Sequence, residues 1–245
     1  MKVVGLIPSR LKSSRLPGKP LKNICGLPMI VHVYKRCLLS ELLDDVFVVT
    51  DSNQIKSAVE SFDGEVIMSS KEHQTGTDRI AEAAKNISAD IIVNIQGDEA
   101  LVVPSHIDKV TKALINDPKL NIAILVNTFY KKDSLSDIKV VLNNRSEVLY
   151  LSRSDIPNDY HNKNQEMLKA YHIVPFRKKF LLEYTKMPKS FLELIENNEY
   201  LRIIENGYNI KAVKVNSSAI SVDTYDDLEI VRKLMITDKY FNLYS

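Results

Sequence analysis

The residues of this chain that could do chemistry gather in short polar stretches, most of them directly after an apolar run. The first is Pro8-Ser-Arg-Leu-Lys-Ser-Ser-Arg-Leu-Pro-Gly-Lys-Pro20, with the cations Arg10, Lys12, Arg15 and Lys19, adjacent serines, and Gly18 beside Lys19. Backbone N–H groups, hydroxyls and cations in one loop can all face the oxygens of a polyphosphate. The alternative is a solvated basic loop, but the prolines and Gly18 shape this one instead of leaving a flexible tail. The second stretch, Ser69-Ser-Lys-Glu-His-Gln-Thr-Gly-Thr-Asp-Arg79, crowds small hydrogen-bonding groups around Gly76. It suits contact with the edge of a base, and equally suits a surface turn with Thr77 capping a helix. His73 has no Cys or His neighbour and is not expected to act as a catalyst or ligand. The third, Gln96-Gly-Asp-Glu99, ends an apolar run in two carboxylates. A carboxylate there, opposite a basic loop, suits a hard cation such as Mg²⁺ shared with substrate phosphates. It also reads as a turn and helix start before Ser105. Asp223 is a further acidic position, and alone it looks like a helix-entry residue.

For these stretches to act together, something must hold them at one place. Lys2–Ile7, Val46–Thr50, Glu65–Met68 and Asp90–Ile95 are short apolar runs of the kind found in buried parallel strands. Between them, Pro28–Leu39 opens with a proline suited to a first helical turn, and Asn53–Phe62 carries Ile55, Ala58, Val59 and Phe62 on one helical face. This alternation predicts an α/β fold with a mostly parallel twisted sheet and helices on both faces, whose ligands bind beyond the carboxyl ends of the strands. After about residue 120 the rhythm loosens. Ile122–Thr128, Lys139–Leu142, Glu147–Leu151 and Ala170–Val174 read as strands, and the polar stretch Asn158–Gln165 reads as mobile. Ser190 to Glu193 reads as a capping box opening a helix that Gly207 closes, and Thr224 with Asp227 caps the last helix. Without a linker or repeat, the expectation is one domain over 1–245 with an inserted β-rich lobe at 125–180.

Composition excludes several classes. The seven glycines are too scattered for the G-x-G-x-x-G fingerprint of a dinucleotide fold or for a Walker A loop. Thirty-three basic against 31 acidic residues leave +2, too balanced for a protein devoted to a nucleic-acid backbone or an anionic membrane. No apolar run is long enough to span a bilayer, and the first residues lack a signal-peptide pattern, so a cytoplasmic location is expected. Cys25 and Cys37 are expected to be buried reduced thiols.

LIPSRLKSSRLPGKPL, PMIVHVYKR, VVTD, HQTGTDRI and VNIQGDE occur in that order, with KVVL, LYLSRSDIP and SVDTYDDL further on. Together they resemble the cytidylyltransferases that activate the acidic sugar 3-deoxy-manno-octulosonate (Kdo) as CMP-Kdo for lipopolysaccharide. The resemblance implies a nucleotide-diphospho-sugar transferase-like fold and a homodimer formed through the inserted lobe. It implies that Arg10, Arg15 and Lys19 hold the CTP phosphates, and that Pro8, Ser9, Ser69, Gln74, Gly76 and Arg79 line the ribose and cytosine. Asp98 and Asp223 would bind Mg²⁺. Gln96 would lie near the sugar, Lys139 and Arg153 would meet a carboxylate, and Glu199 is retained from a motif of the acceptor half. Arg10, Lys19 and Asp98 would carry catalysis, which is attack of the sugar's anomeric 2-hydroxyl on the α-phosphorus with release of pyrophosphate.

The second half departs from the family. Where those enzymes usually read K-H-x-G-x-Y-x-Y, this chain has Lys169-Ala-Tyr-His-Ile-Val-Pro-Phe176, and Tyr200 replaces a glutamine beside Glu199. Ala170, Val174, Phe176 and Tyr200 thus stand where polar sugar contacts are expected, so a modified Kdo or another acidic sugar is an alternative acceptor. A CTP-binding relative without catalysis is a third reading.

Overall fold

The computed structural model describes residues 1–13, 15–71, 73–158, 160, 166–217 and 220–245. In chain order the first elements are β1 (Val3–Ser9), β2 (Asn23–Ile24), β3 (Leu27–Pro28), α1 (Met29–Cys37), β4 (Asp45–Thr50), α2 (Asn53–Glu60), β5 (Val66–Met68), α3 (Gly76–Lys85), β6 (Ile91–Ile95) and α4 (Pro104–Asn116). There follow β7 (Ala123–Phe129), β8 (Lys139–Leu142), β9 (Val148–Ser152), β10 (Met167–Tyr171), β11 (Ile173–Arg177), α5 (Lys178–Tyr184), α6 (Phe191–Glu196), α7 (Leu201–Glu205), β12 (Lys211–Val215) and α8 (Tyr225–Ile236). These elements form two compact units, 1–108 with 219–245, and 109–218. The second unit is wider than the lobe expected at 125–180, because β7 takes β12 as its parallel neighbour and so draws residues up to 215 into the same sheet.

In the first unit β6, β1, β4 and β5 lie side by side in that order, all parallel. Every residue of β1 is buried, as expected of a central strand covered on both faces. The strand runs two residues past its expected end, since Pro8 and Ser9 keep register opposite Val49 and Thr50. Helix α2 starts where the Ser52 side chain accepts from Ile55 N–H, and buries Ile55 and Val59. Helix α3 is capped by Thr75 in a reciprocal box with Asp78, not by Thr77. Thr77 is fully buried and its hydroxyl accepts from Asn94 Nδ2.

The second unit has a mixed sheet in the order β12, β7, β10, β8, β9. Its sequence expectations need two corrections. The strand expected at Ala170–Val174 is two strands, because the chain bends at His172, whose ring stacks on Tyr200. The helix expected from Ser190 to Gly207 is also two, because Asn197 adopts a left-handed conformation (φ 48°) and closes α6. Of the stretch 158–165 expected to be mobile, 159 and 161–165 lie outside the described residues.

Of the two thiols, Cys37 is buried, and burial pushes its pKa well above the ordinary value. Cys25 is exposed, contrary to expectation. It forms, with Gly26, the two-residue turn between β2 and β3, where both φ values are positive (47° and 97°).

Candidate active site

Chain segments from both ends of the sequence meet past the carboxyl ends of the parallel strands of the first unit. After β1 the chain passes Arg10, which is exposed, and Leu16, which is fully buried. Gly18 then turns with φ 66° into a short 3₁₀ turn that begins at Lys19. Lys19 Nζ lies 2.6 Å from Asp98 Oδ2 and 3.1 Å from Asp223 Oδ1, and Arg15 Nη2 lies 2.9 Å from the same Asp223 oxygen. Burial pushes the Lys19 pKa down, but the charges and hydrogen bonds of Asp98 and Asp223 outweigh it and leave the pKa above the usual lysine value. Lys19 is therefore a fixed cation at neutral pH.

Apolar residues near three of these four ions set this arrangement. Leu16 follows Arg15, Ala100 lies two residues past Asp98, and Val222 precedes Asp223. All three are fully buried in one cluster with Ile24, Met29, Leu228, Val231 and Met235. Removing these side chains from water draws the three loops onto one spot while the charged neighbours stay partly exposed.

Backbone contact is equally close at the strand ends. A Cβ on Gly97 would lie 2.9 Å from the Pro8 carbonyl oxygen, and one on Gly76 would lie 3.1 Å from the Pro8 ring. Pro8, Gly76 and Gly97 are thus packed together, with Gln96 alongside. Ser9 is 6% exposed, and its hydroxyl has no hydrogen-bond partner among the described residues. A buried unpaired hydroxyl at a strand end is what a bound ligand would satisfy.

The loop after β5 is held from α3. Arg79, nearly buried, donates to Ser69 Oγ and the Ser70 carbonyl and pairs with Asp51 at 3.4 Å. His73 bonds Glu82 and Ser70 Oγ, and the His73 bond lowers the Glu82 pKa. Gln74 is exposed. Asp51 is the last residue of the VVTD motif and follows the end of β4; the motif by itself gave it no role.

The remaining expected acceptor residues belong to the second unit, and there one expectation changes. Lys139 is fully buried; its ammonium donates to the carbonyls of Ser134, Asp137 and Arg153 and lies 3.5 Å from Asp155. An ammonium has three protons, so all of them are engaged, and Lys139 ties its loops together instead of offering a free cation to a carboxylate. The Arg153 guanidinium donates to the carbonyls of Leu135, Glu196 and Asn197, and its backbone N–H donates to Glu196 Oε2. Glu199 is half-buried, and its carbonyl accepts from the Tyr184 hydroxyl. Ala170, Val174 and Phe176 are 0% exposed and Tyr200 3%, so all four are buried.

The residues fit a divalent cation in one respect that matters. Asp98 and Asp223 direct one oxygen each at a common cation, here the Lys19 ammonium. No group of three or more His, Cys, Asp or Glu side chains that could hold a metal occurs among the described residues. Two carboxylates with substrate phosphates are a donor set for Mg²⁺, and a poor one for a metal that needs an all-protein cage. No helix among the described residues is long and apolar enough to cross a membrane.

Comparison with known proteins agrees with this geometry. The family model described as cytidylyltransferase matches residues 4–213. The 3-deoxy-manno-octulosonate cytidylyltransferase of Geotalea uraniireducens is 40% identical over 94% of this chain and 98% of its own length. That of Escherichia coli is 39% identical over 96% of each. Among solved structures, CMP:2-keto-3-deoxy-manno-octonic acid synthetase complexed with CTP superposes with a TM-score of 0.93 at 39% identity, covering 96% of this chain and 99% of that one. A cytidylyltransferase from Leptospira borgpetersenii shares the fold at a TM-score of 0.66 and 19% identity. By its strand-end loops, its fold and its near full-length identity to these relatives, the chain belongs to the cytidylyltransferase family, among the 3-deoxy-manno-octulosonate cytidylyltransferases.

Proposed function

We propose that this protein transfers CMP from CTP to Kdo. The anomeric 2-hydroxyl oxygen forms a bond to the α-phosphorus, the bond from that phosphorus to the β-phosphate oxygen breaks, and pyrophosphate leaves with the electron pair. The observation that carries this reading is the near-complete superposition on the synthetase solved with CTP.

The chain's own residues account for the chemistry such a transfer needs, which is positioning and charge stabilisation instead of a covalent nucleophile. Arg10, Arg15 and Lys19 bind the phosphates, and Lys19 is already held as a cation beside Asp98 and Asp223. Pro8, Ser9, Ser69, Gln74, Gly76 and Arg79 line the nucleoside, with the unpaired Ser9 hydroxyl available to it. Gln96 serves the acceptor, and Arg153 and Glu199, which the family resemblance also assigns to the acceptor, belong to the second unit. Asp98 and Asp223 would hold Mg²⁺, which would supply positive charge to offset what develops on the phosphate oxygens. The reading includes a cytoplasmic homodimer, as the family resemblance implies; light scattering on the purified protein tests the dimer.

Pyrophosphate release measured with each nucleoside triphosphate against a panel of 2-keto sugar acids tests donor and acceptor together. Turnover of CTP with Kdo is expected, and no release with any acidic sugar overturns the reading. A second reading, raised by the departures from the family pattern at Ala170, Val174, Phe176 and Tyr200, has a related acidic sugar as acceptor. Efficient turnover of Kdo itself rules it out. CTP binding without turnover across the panel would mark a non-catalytic relative.

A further inference from the structure

Asp98 and Asp223 come from opposite ends of the chain, so their separation is set by contacts between their loops. Beside the apolar cluster, hydrogen bonds among the described residues join those loops. Val222 N–H donates to the Asp98 carbonyl at 3.1 Å, and Ser221 Oγ donates to Glu99 Oε1 at 2.5 Å. Each bond involves a neighbour of the proposed metal ligands, with Glu99 following Asp98 and Ser221 standing two residues before Asp223.

Glu99 is 2% exposed. A carboxylate that deep is costly unless it is hydrogen-bonded, and an apolar residue would pack beside Ala100 and Val222 without that cost. Its partner Ser221 is supplied by the one segment that also carries Asp223. We propose that Glu99 and Ser221 are a pair of positioning residues that holds Asp98 and Asp223 at the spacing a divalent cation requires. Neither residue touches substrate. They act through the ligands, as outer partners of metal ligands generally do, where loss of one weakens metal binding about tenfold to a hundredfold. The inference rests on the metal reading above and deepens it.

The test is Mn²⁺ binding, followed by electron paramagnetic resonance, to the full chain with CTP and no acceptor. Ser221→Ala is expected to weaken Mn²⁺ about tenfold and, because it takes a donor from the buried Glu99 carboxylate, to lower the thermal midpoint in metal-free buffer as well. In turnover assays the same variant should need more Mg²⁺ for half-maximal rate and should recover its rate at saturating metal. Glu99→Gln keeps an oxygen to accept from Ser221 and should bind Mn²⁺ like the parent, whereas Glu99→Leu should resemble Ser221→Ala. Unchanged Mn²⁺ affinity in Ser221→Ala, or equal losses in Glu99→Gln and Glu99→Leu, overturns the positioning role and leaves the metal reading standing. A parent protein that holds no Mn²⁺ with CTP overturns both. If Glu99→Leu does not fold, Ser221→Ala and Glu99→Gln still decide.

Discussion

Burial keeps the His32 imidazole neutral far into the acid range. The ring is fully buried, with Nε2 2.7 Å from the Ile24 carbonyl and Nδ1 3.0 Å from the Tyr244 hydroxyl, so Nε2 donates and Nδ1 accepts. Desolvation outweighs the Ile24 bond and lowers the pKa from 6.5 to about 4. An unfolded chain takes up this proton near its ordinary pKa, whereas the folded one resists it down to the lowered value. The stability His32 contributes is therefore complete above pH 6.5 and falls as pH drops towards about 4, by about 3 kcal/mol in total. His32→Gln keeps a donor for Ile24 and should flatten that part of the pH dependence. Urea midpoints at about pH 7.5 and about pH 4.5 measure it, and identical slopes in parent and variant would contradict the assignment. At the same scale, Lys19→Met should lower kcat for pyrophosphate release about a hundredfold, the loss expected when a transition-state donor is removed. On the proposed reading Asp98→Asn should cost more, because the Mg²⁺ site would go with it.

At the scale of elements, the site depends on how closely the ends of β1 and β6 approach. Gly97 stands out in the sequence as a flexible residue before a carboxylate, but the structure gives it a different function. Its Cα faces the Pro8 carbonyl, where a Cβ would sit at 2.9 Å, and a backbone oxygen cannot rotate away. Gly97→Ala should therefore destabilise by about 1–3 kcal/mol, as overpacking does, and should raise KM for CTP by displacing the chain that leads to Ser9 and Arg10. Gly18 is the opposite case: it has open space around it but a φ of 66°. Gly18→Ala should cost about 1 kcal/mol through the backbone alone. Thermal midpoints with CTP titrations on both variants separate the two causes, and an unchanged KM in Gly97→Ala would count against the coupling.

For the whole molecule, the residues that differ from the family pattern are buried residues of the second unit. Phe176 is 0% exposed and stacks on Tyr184. Restoring the family's tyrosine there would bury a hydroxyl, so Phe176→Tyr should destabilise by about 1–3 kcal/mol unless that hydroxyl finds a partner. Denaturant unfolding measures the cost. Turnover across the sugar panel shows whether acceptor preference moves with it; higher Kdo turnover without loss of stability would mean the position lines the sugar site.

The amino-acid sequence by itself determined the parts of this protein that are local. Runs of β-branched residues specify the parallel strands, and the motif loops follow those strands because a turn and its charges are neighbours in the chain. Whatever depends on residues far apart in sequence was decided only by the tertiary structure. Asp223 reads as a helix-entry residue until the burial of Leu16, Ala100 and Val222 in one cluster brings it to Lys19 and Asp98. Lys139 is expected to meet a carboxylate of the acceptor until three carbonyls surround it. Cys25 reads as a core residue until a tight turn exposes it, and the second unit reads as a lobe until β12 pairs with β7. The physical reason is common to all of these. Propensity and hydrophobic period act over a few residues, whereas desolvation and hydrogen-bond satisfaction depend on which distant segments share the interior.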